Sequence, residues 1–369
     1  GPSNRYTGAL ELETSEFLDD FGYNLISANL SGPILKKKSG ESIIGFRVSM
    51  QYRELKDDDA PGSDIYRISD EALAELEANP VVSFGTGLVP GGHFITNEDV
   101  DVLGFQPFEE EERLDLTAKI DARLSKAIDI TLTGSYSDRT DRFTPGENNQ
   151  TGANWRVFNS HNNPFENDTR WRGNIRFRHR LSDVADANAQ AGAEENAKSS
   201  LFSNVEYVLQ AGYERRFYDR DDFRHGDNLF RYGHVGTFDY NWIPSFGVLQ
   251  APFRVVHTAY TRTFQGFTHS IHNPVLANYN NASDGGNDNS FVAFNCFFTA
   301  GVNEIWDNHT NVGQVFNASE KIDNELITIN VSSSFDLNPG GSDKGTHSIR
   351  FGIIFEQRFN RGYDLNPRN

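Results

Sequence analysis

Residues 113–137 read RLDLTAKIDARLSKAIDITLTGSYS, and this stretch decides the fold class. Leu114, Leu116, Ala118, Ile120, Ala122 and Leu124 alternate with Arg113, Asp115, Thr117, Lys119, Asp121 and Arg123. Ser125, Lys126 and Ala127 interrupt the pattern. Then Ile128, Ile130, Leu132, Gly134 and Tyr136 alternate with Asp129, Thr131, Thr133, Ser135 and Ser137. A period of two places successive side chains on opposite faces of an extended strand. The stretch therefore predicts an antiparallel hairpin, closed by a tight turn at 125–127, with one apolar and one polar face.

The same pattern extends in both directions. Ile44, Phe46, Val48, Met50 and Tyr52 alternate with Gly45, Arg47, Ser49, Gln51 and Arg53. Trp171, Gly173, Ile175 and Phe177 alternate with Arg170, Arg172, Asn174, Arg176 and Arg178, and Val205, Tyr207, Leu209, Ala211 and Tyr213 form another stripe. Phe230, Tyr232, Phe238, Tyr240 and Trp242 share a face weakened by His234 and Gly236, and a less regular strand covers 252–264. Ile327, Ile329, Val331, Phe335 and Leu337 precede a last run of His347, Ile349, Phe351, Ile353, Phe355 and Phe359. With weaker strands near 5–13 and 23–32, the reading is all-β and antiparallel, with about eleven strands.

Two architectures share this pattern. In a sandwich the apolar face is a core, whereas in a membrane barrel it meets lipid and the polar face lines a lumen. Most segments approach the roughly 9–11 residues of a tilted membrane span rather than the five or six of a soluble strand. Tyr52, Tyr136, Trp171, Phe217, Tyr240, Trp242 and Phe359 near strand ends suit an aromatic girdle. Composition departs from that of an ordinary globular domain. The 369 residues include 29 Phe, 13 Tyr and 32 Gly but a single Met. No apolar run is long enough for a membrane helix. Length alone would suggest two or three ordinary domains, but one repeating pattern covers 1–369. The formal net charge of −18 argues against a nucleic-acid partner, and one cysteine, Cys296, excludes an internal disulfide framework and a Cys-based zinc site. The first residue is Gly1 and no apolar signal segment follows, so a processed product or fragment is expected.

The connections 33–41, 125–127, 243–251 and 338–345 are short to moderate, and 54–112, 140–169 and 265–325 are long. If the first strand ascends, every long segment falls on one side, as in bacterial barrels with short periplasmic turns and long outer loops. Only 182–202, rich in Ala, Asn and Glu, is long for a turn. An odd strand count implies a missing partner strand, since single-chain barrels close with an even number.

Tyr6-Thr7-Gly8-Ala9-Leu10-Glu11-Leu12-Glu13-Thr14-Ser15 resembles the first barrel strand of TonB-dependent outer-membrane receptors. Phe21-Gly22-Tyr23-Asn24-Leu25 with Asn29-Leu30-Ser31-Gly32-Pro33 resembles the second strand and its turn, and Arg53 to Gly62, with Asp57-Asp58-Asp59 and Pro61, the start of a first long outer loop. The resemblance implies a 22-stranded barrel in the cell outer membrane, occluded by a plug and energised through a TonB complex, that imports a scarce solute. It implies outer-membrane lipid, the barrel's own plug and TonB as partners, with a surface lipoprotein as a further one, and no cofactor. The chain departs from that pattern in carrying no plug domain or TonB-box segment and about half the strands. On this resemblance it corresponds to the N-terminal half of the barrel.

Candidate sites follow. Arg170, Arg172, Arg176, Arg178 and Arg180 line one strand face. Each would cost about 2–4 kcal/mol facing lipid near the midplane, so they face the lumen. There they neutralise carboxylates such as Asp129 or Glu206, hold a plug, or attract an anionic solute. Trp155, Phe158, Phe165, Phe291, Phe294, Phe297, Phe298 and Trp306 concentrate aromatics in two outer loops, as ligand contacts or as packing between loops. Asp284 and Asp288, in an Asn/Gly-rich run, offer oxygen ligands for calcium but lack EF-hand spacing, and an Asx/Gly turn is the simpler reading. His269 and His272 lack the helix and Glu of a zinc motif, so no metal site is assigned. Ser69 to Asn79, stopped by Pro80, predicts a short acidic helix whose negative face is a candidate docking surface. No nucleophile elbow, phosphate loop or dinucleotide fingerprint occurs, so no enzymatic activity is assigned. The alternatives are a secreted or surface β-sandwich binding glycans through its aromatic loops, and a smaller passive or structural barrel.

Overall fold

The computed structural model describes residues 2–57, 61–85, 87–145, 155–181, 202–228, 231, 236–250, 253–282, 312–316, 318–339 and 345–365. The elements run β1 (Thr7–Thr14), β2 (Asn24–Lys36), β3 (Ser42–Leu55), β4 (Ile65–Ile68), α1 (Asp70–Ala78), β5 (Val81–Phe84), β6 (Gly87–Pro90), β7 (Val100–Leu103), β8 (Glu111–Arg123), β9 (Ile128–Arg142), β10 (Phe165–Arg180) and β11 (Phe202–Asp221). There follow β12 (Gly236–Gln250), β13 (Phe253–His269), α2 (Pro274–Ala282), β14 (Ser319–Leu337) and β15 (His347–Leu365).

Nine long strands form one antiparallel sheet in the order β1-β2-β3-β8-β9-β10-β11-β14-β15. The hairpin read from residues 113–137 forms with Leu116 opposite Tyr136, Ala118 opposite Gly134 and Ile120 opposite Leu132. Its turn is held by the Ser125 Oγ, which accepts from the backbone N–H of Ala127 (3.1 Å) and Ile128 (3.0 Å).

Cross-strand register makes each face continuous. Phe46, Ile120, Leu132, Ile175, Ala211, Ile329 and Phe355 lie successively opposite one another from β3 to β15. A second row, Ile44, Ala122, Ile130, Phe177, Leu209, Val331 and Ile353, runs parallel to it. The opposite face carries rows such as Arg47, Lys119, Thr133, Asn174, Gly212, Thr328 and Glu356. The apolar rows are uncovered: Leu132 is 43%, Ile175 47% and Ile353 71% exposed. A sandwich would bury these residues under a second sheet.

The wall differs from expectation in three respects. It has nine strands rather than about eleven, because β12 and β13 pair only with each other in a separate two-stranded sheet. That hairpin contains 243–251, read as a connection, as far as Gln250, and removes Tyr240 and Trp242 from the girdle. Strands are also longer than their apolar stripes: β2 continues through Pro33 to Lys36, and β11 and β14 run 20 and 19 residues. Backbone pairing continues where the alternation of side chains stops. Finally, the described sheet does not close. β1 and β15 are its edges, and both are exposed along their whole length.

The three longest connections, 56–110, 143–164 and 222–318, leave and return at one end of the sheet. The opposite end has 37–41, 124–127 and 338–346, with 181–201. Positions 182–201, 230, 232 and 234 lie outside the described residues. The hairpin β12–β13 leaves this sidedness intact, because Arg220 and Glu320 pair directly across its two attachment points.

Candidate functional site

The alternation that builds the apolar belt also builds an arginine-rich groove on the reverse face. Arg53, Arg113 and Arg139 stand directly opposite one another across β3, β8 and β9, and Arg170 faces Arg216 across β10 and β11. Like charges so placed repel, so carboxylates must lie among them. Glu111 pairs with Arg53 and, at 2.9 Å, with Arg139. Asp168 receives both Nε and Nη2 of Arg216, at 2.9 and 2.7 Å, in the bidentate geometry that suits a guanidinium. Arg113 pairs with Asp115 at 2.7 Å.

The five arginines of the β10 stripe are not equivalent. Arg178 pairs with Asp129 at 2.5 Å and Arg180 with Glu206 at 3.0 Å, while Arg172 takes Glu214 at 2.8 Å. Arg176 makes no ion pair among the described residues. Arg170 reaches only the already engaged Glu214, at 3.8 Å, and its buried Nε has no hydrogen-bond partner. Two cavities of about 330 Å³ each open on this face. Arg113, Ser137, Arg170 and Arg172 line the first, Arg216 and Tyr218 the second, and Arg139 and Asp168 line both. The groove offers guanidinium and hydroxyl donors to an anionic or polyhydroxylated group, and among the arginines lining the cavities Arg170 has the longest ion pair.

At the long-loop end the three connections interlock. Ser69 caps α1, its Oγ accepting from the Ala72 N–H at 3.3 Å, and the helix ends at Asn79 before Pro80. This is the helix read from 69–79. Its Leu73 and Leu76 pack with Ile68, Phe158 and Val312, which come from three different connections. Trp155 is 3% and Phe158 7% exposed. These two aromatics pack the loops together and present no surface to a ligand. Phe165 opens β10, and the Arg142 guanidinium lies over its ring at 5.0 Å and over the Phe108 ring at 4.9 Å. Arg142 also donates to the carbonyl oxygens of His161 and Asn163 and pairs with Glu110 at 3.0 Å. Phe108 is held in the left-handed region at φ 64°, a conformation of order 1–3 kcal/mol for such a residue.

The asparagines of this cap were not singled out from sequence. Asn159, Asn162 and Asn163 are at most 1% exposed. Asn159 Oδ1 accepts from the Gln314 N–H (2.9 Å), and Asn162 Nδ2 donates to the Gln314 oxygen (2.7 Å). Asn163 Nδ2 donates to the Phe108 oxygen (2.7 Å) and its Oδ1 accepts from Trp155 Nε1 (2.5 Å). The signal available was the Asn-Ser-His-Asn-Asn-Pro run at 159–164, dense in residues that bond backbone. From α2, Asn278 Nδ2 donates to the Glu77 oxygen (2.8 Å) and the Tyr279 hydroxyl to the Val312 oxygen (2.9 Å). Burial pushes the Tyr279 hydroxyl well above the ordinary phenol range.

Phe291, Phe294, Phe297, Phe298, Trp306, Asp284 and Asp288 lie outside the described residues. Among the described residues no group of three metal-ligating side chains occurs; His269 ends β13 beside Phe267.

Fold and groove together define a class: an antiparallel β wall with an uncovered apolar belt on one face and an arginine–carboxylate lattice on the other. No family model matches the chain, and no curated protein matches it. Among solved structures it is similar to the siderophore receptor PiuA from Acinetobacter baumannii, at 10% identity and a TM-score of 0.33, over 96% of this chain and 42% of that one. The chain thus spans less than half the length of that receptor.

Proposed function

We propose that this chain forms part of the wall of an outer-membrane transport barrel of the TonB-dependent receptor type. The observation that carries the reading is the uncovered apolar belt, continuous across the sheet from β1 to β15. Surface of that extent, one side chain in two, is stable only against lipid or a partner of matching size. The collection of the three longest connections at one end supports an assignment of that end to the cell exterior. The open edges at β1 and β15 support a wall that continues into further strands. In this reading outer-membrane lipid covers the belt, while the polar groove faces a plug that a TonB complex remodels. The interlocked loops capture the solute, and a surface lipoprotein would meet this same end.

The arginine groove then faces the transport path. Arg170, with one distant carboxylate, is the residue proposed to contact an anionic group of the plug or of the solute. The test begins with the native chain in outer-membrane fractions. Retention through a urea wash and a shift in electrophoretic mobility on boiling are the expected results; release into the soluble fraction without detergent sinks the proposal. In uptake assays, neutralising Arg170 and Arg176 to Gln is expected to change rate and salt dependence. Unchanged, salt-sensitive uptake would remove the stripe from the path.

A further inference from the structure

The hairpin β12–β13 stands apart from the wall and shares neither its pairing nor its belt. It is rooted at its base, where Phe238 and Phe267 pack on Val81, Leu276 and Tyr279. Gly236 begins the hairpin where any Cβ would collide with the Thr268 oxygen and the Phe267 ring, so the chain enters at a fixed angle. Beyond the base nothing in the described structure covers it. Trp242, Phe246, Val248, Phe253, Val255 and Tyr260 are all more than half exposed. Residues directly opposite share a face, and the pairs Phe246–His257, Val248–Val255 and Pro244–Tyr260 put these side chains on one side. Ile243 and Leu249 point to the other side and are 54% and 53% exposed. An isolated two-stranded ribbon is at best marginally stable in water, so something must cover this one.

Two facts select the cover. First, the distal half carries exposed apolar side chains on both faces, with Ser245 and Arg254 beside them on the second; a protein partner docks on one face, whereas lipid surrounds both. Second, no Asp or Glu occurs from Tyr240 to Ser283, although 52 of the 369 residues are acidic. The hairpin's formal charges beyond Asp239 are Arg254 and Arg262, and Arg262 lies over the Tyr240 ring at 4.4 Å. Aromatic and aliphatic side chains with arginines and no carboxylate complement an anionic lipid surface.

We infer that the distal half of the β12–β13 hairpin inserts into the surface of an anionic lipid leaflet, as a second membrane contact separate from the wall. Trp242, Phe246, Val248, Phe253 and Val255 enter the acyl boundary, and Arg254 meets lipid phosphate.

The test uses the full chain with Cys296→Ser and one new cysteine at a time: Phe253→Cys at the hairpin tip, Ile353→Cys in the belt, and Ile271→Cys, 87% exposed, in a loop. Each carries an environment-sensitive fluorophore and is reconstituted into vesicles of phosphatidylcholine and phosphatidylglycerol. Quenching by lipids with nitroxide-labelled chains is then read. Positions 253 and 353 are expected to be quenched and 271 to stay in water. Quenching at 353 but not at 253 overturns the hairpin inference and leaves the barrel reading standing. Quenching at 253 but not at 353 does the reverse. Shielding at 253 that grows with protein concentration but resists lipid quenchers makes a second copy the occupant and also overturns it. In vesicles with phosphatidylglycerol, Arg254→Gln is expected to weaken insertion about fivefold, with no change in purely zwitterionic vesicles.

Discussion

The loop cap and the β12–β13 hairpin both carry aromatic residues and spring from the same end of the wall, yet they use those residues oppositely. In the cap, Trp155, Phe158 and Tyr279 are buried, and the polar atoms of Trp155 and Tyr279 are hydrogen-bonded to Asn163 and to the Val312 oxygen. In the hairpin, Trp242, Phe246 and Phe253 stand in the open. What decides the use is whether other segments converge on the residue. Three connections meet at Phe158, whereas the distal hairpin meets none in the described structure. An aromatic in a long loop therefore says little about ligand contact until its neighbours are known.

If the cap is a small core, truncating its centre has the largest effect. Phe158→Ala is expected to cost about 3–5 kcal/mol of local stability, read as faster amide exchange at Leu73 and Leu76 of α1. Unchanged exchange would mean that the cap does not fold as a unit. Trp155→Phe keeps the ring volume roughly but leaves the buried Asn163 Oδ1 without its donor, at about 1–3 kcal/mol in the same measurement. Tyr279→Phe costs about 1 kcal/mol at neutral pH through the lost bond to the Val312 oxygen. It also has a pH signature. The Tyr279 hydroxyl is held above its ordinary value of 10.0. Below pH 10 it is neutral whether folded or unfolded, and its contribution is fully present. Above that, the unfolded form ionises first and the contribution is lost. The native cap is thus expected to loosen as pH rises past 10, and the Phe variant to lack this component. Smallest of all, Phe246→Ser in the hairpin is expected to shift stability in detergent by less than about 0.5 kcal/mol. A loss comparable to that of Phe158→Ala would erase the contrast between the two regions.

Much of the wall was legible in sequence because a period of two is a local signal. The hairpin of 113–137 formed with its turn where Ser125 stands, and α1 formed between Ser69 and Pro80, where cap and breaker were visible. The membership of β12 and β13 was not legible: their stripes resemble those of wall strands, but pairing is decided between β11 and β14, on either side of the insertion. Nor was the fate of the loop aromatics, since Phe158 is buried by Ile68 and Val312, far from it along the chain. Arg142 illustrates the same limit. Nothing local marks it, yet it bridges two rings and two loop carbonyls.

The close pairing of Arg220 with Glu320 also bears on how freely this end of the molecule can change. Closing a loop costs conformational entropy that grows only with the logarithm of its length. Carrying 222–318 instead of a five-residue turn therefore adds about 2–3 kcal/mol. A segment that departs and returns through adjacent rungs leaves the ladder beneath it in register. Insertions, deletions or exchanges of whole hairpins here are nearly silent for the wall, while a single-residue slip in the belt would turn every side chain of a strand to the wrong face. Variation can accumulate at one end of such a molecule without loosening the other.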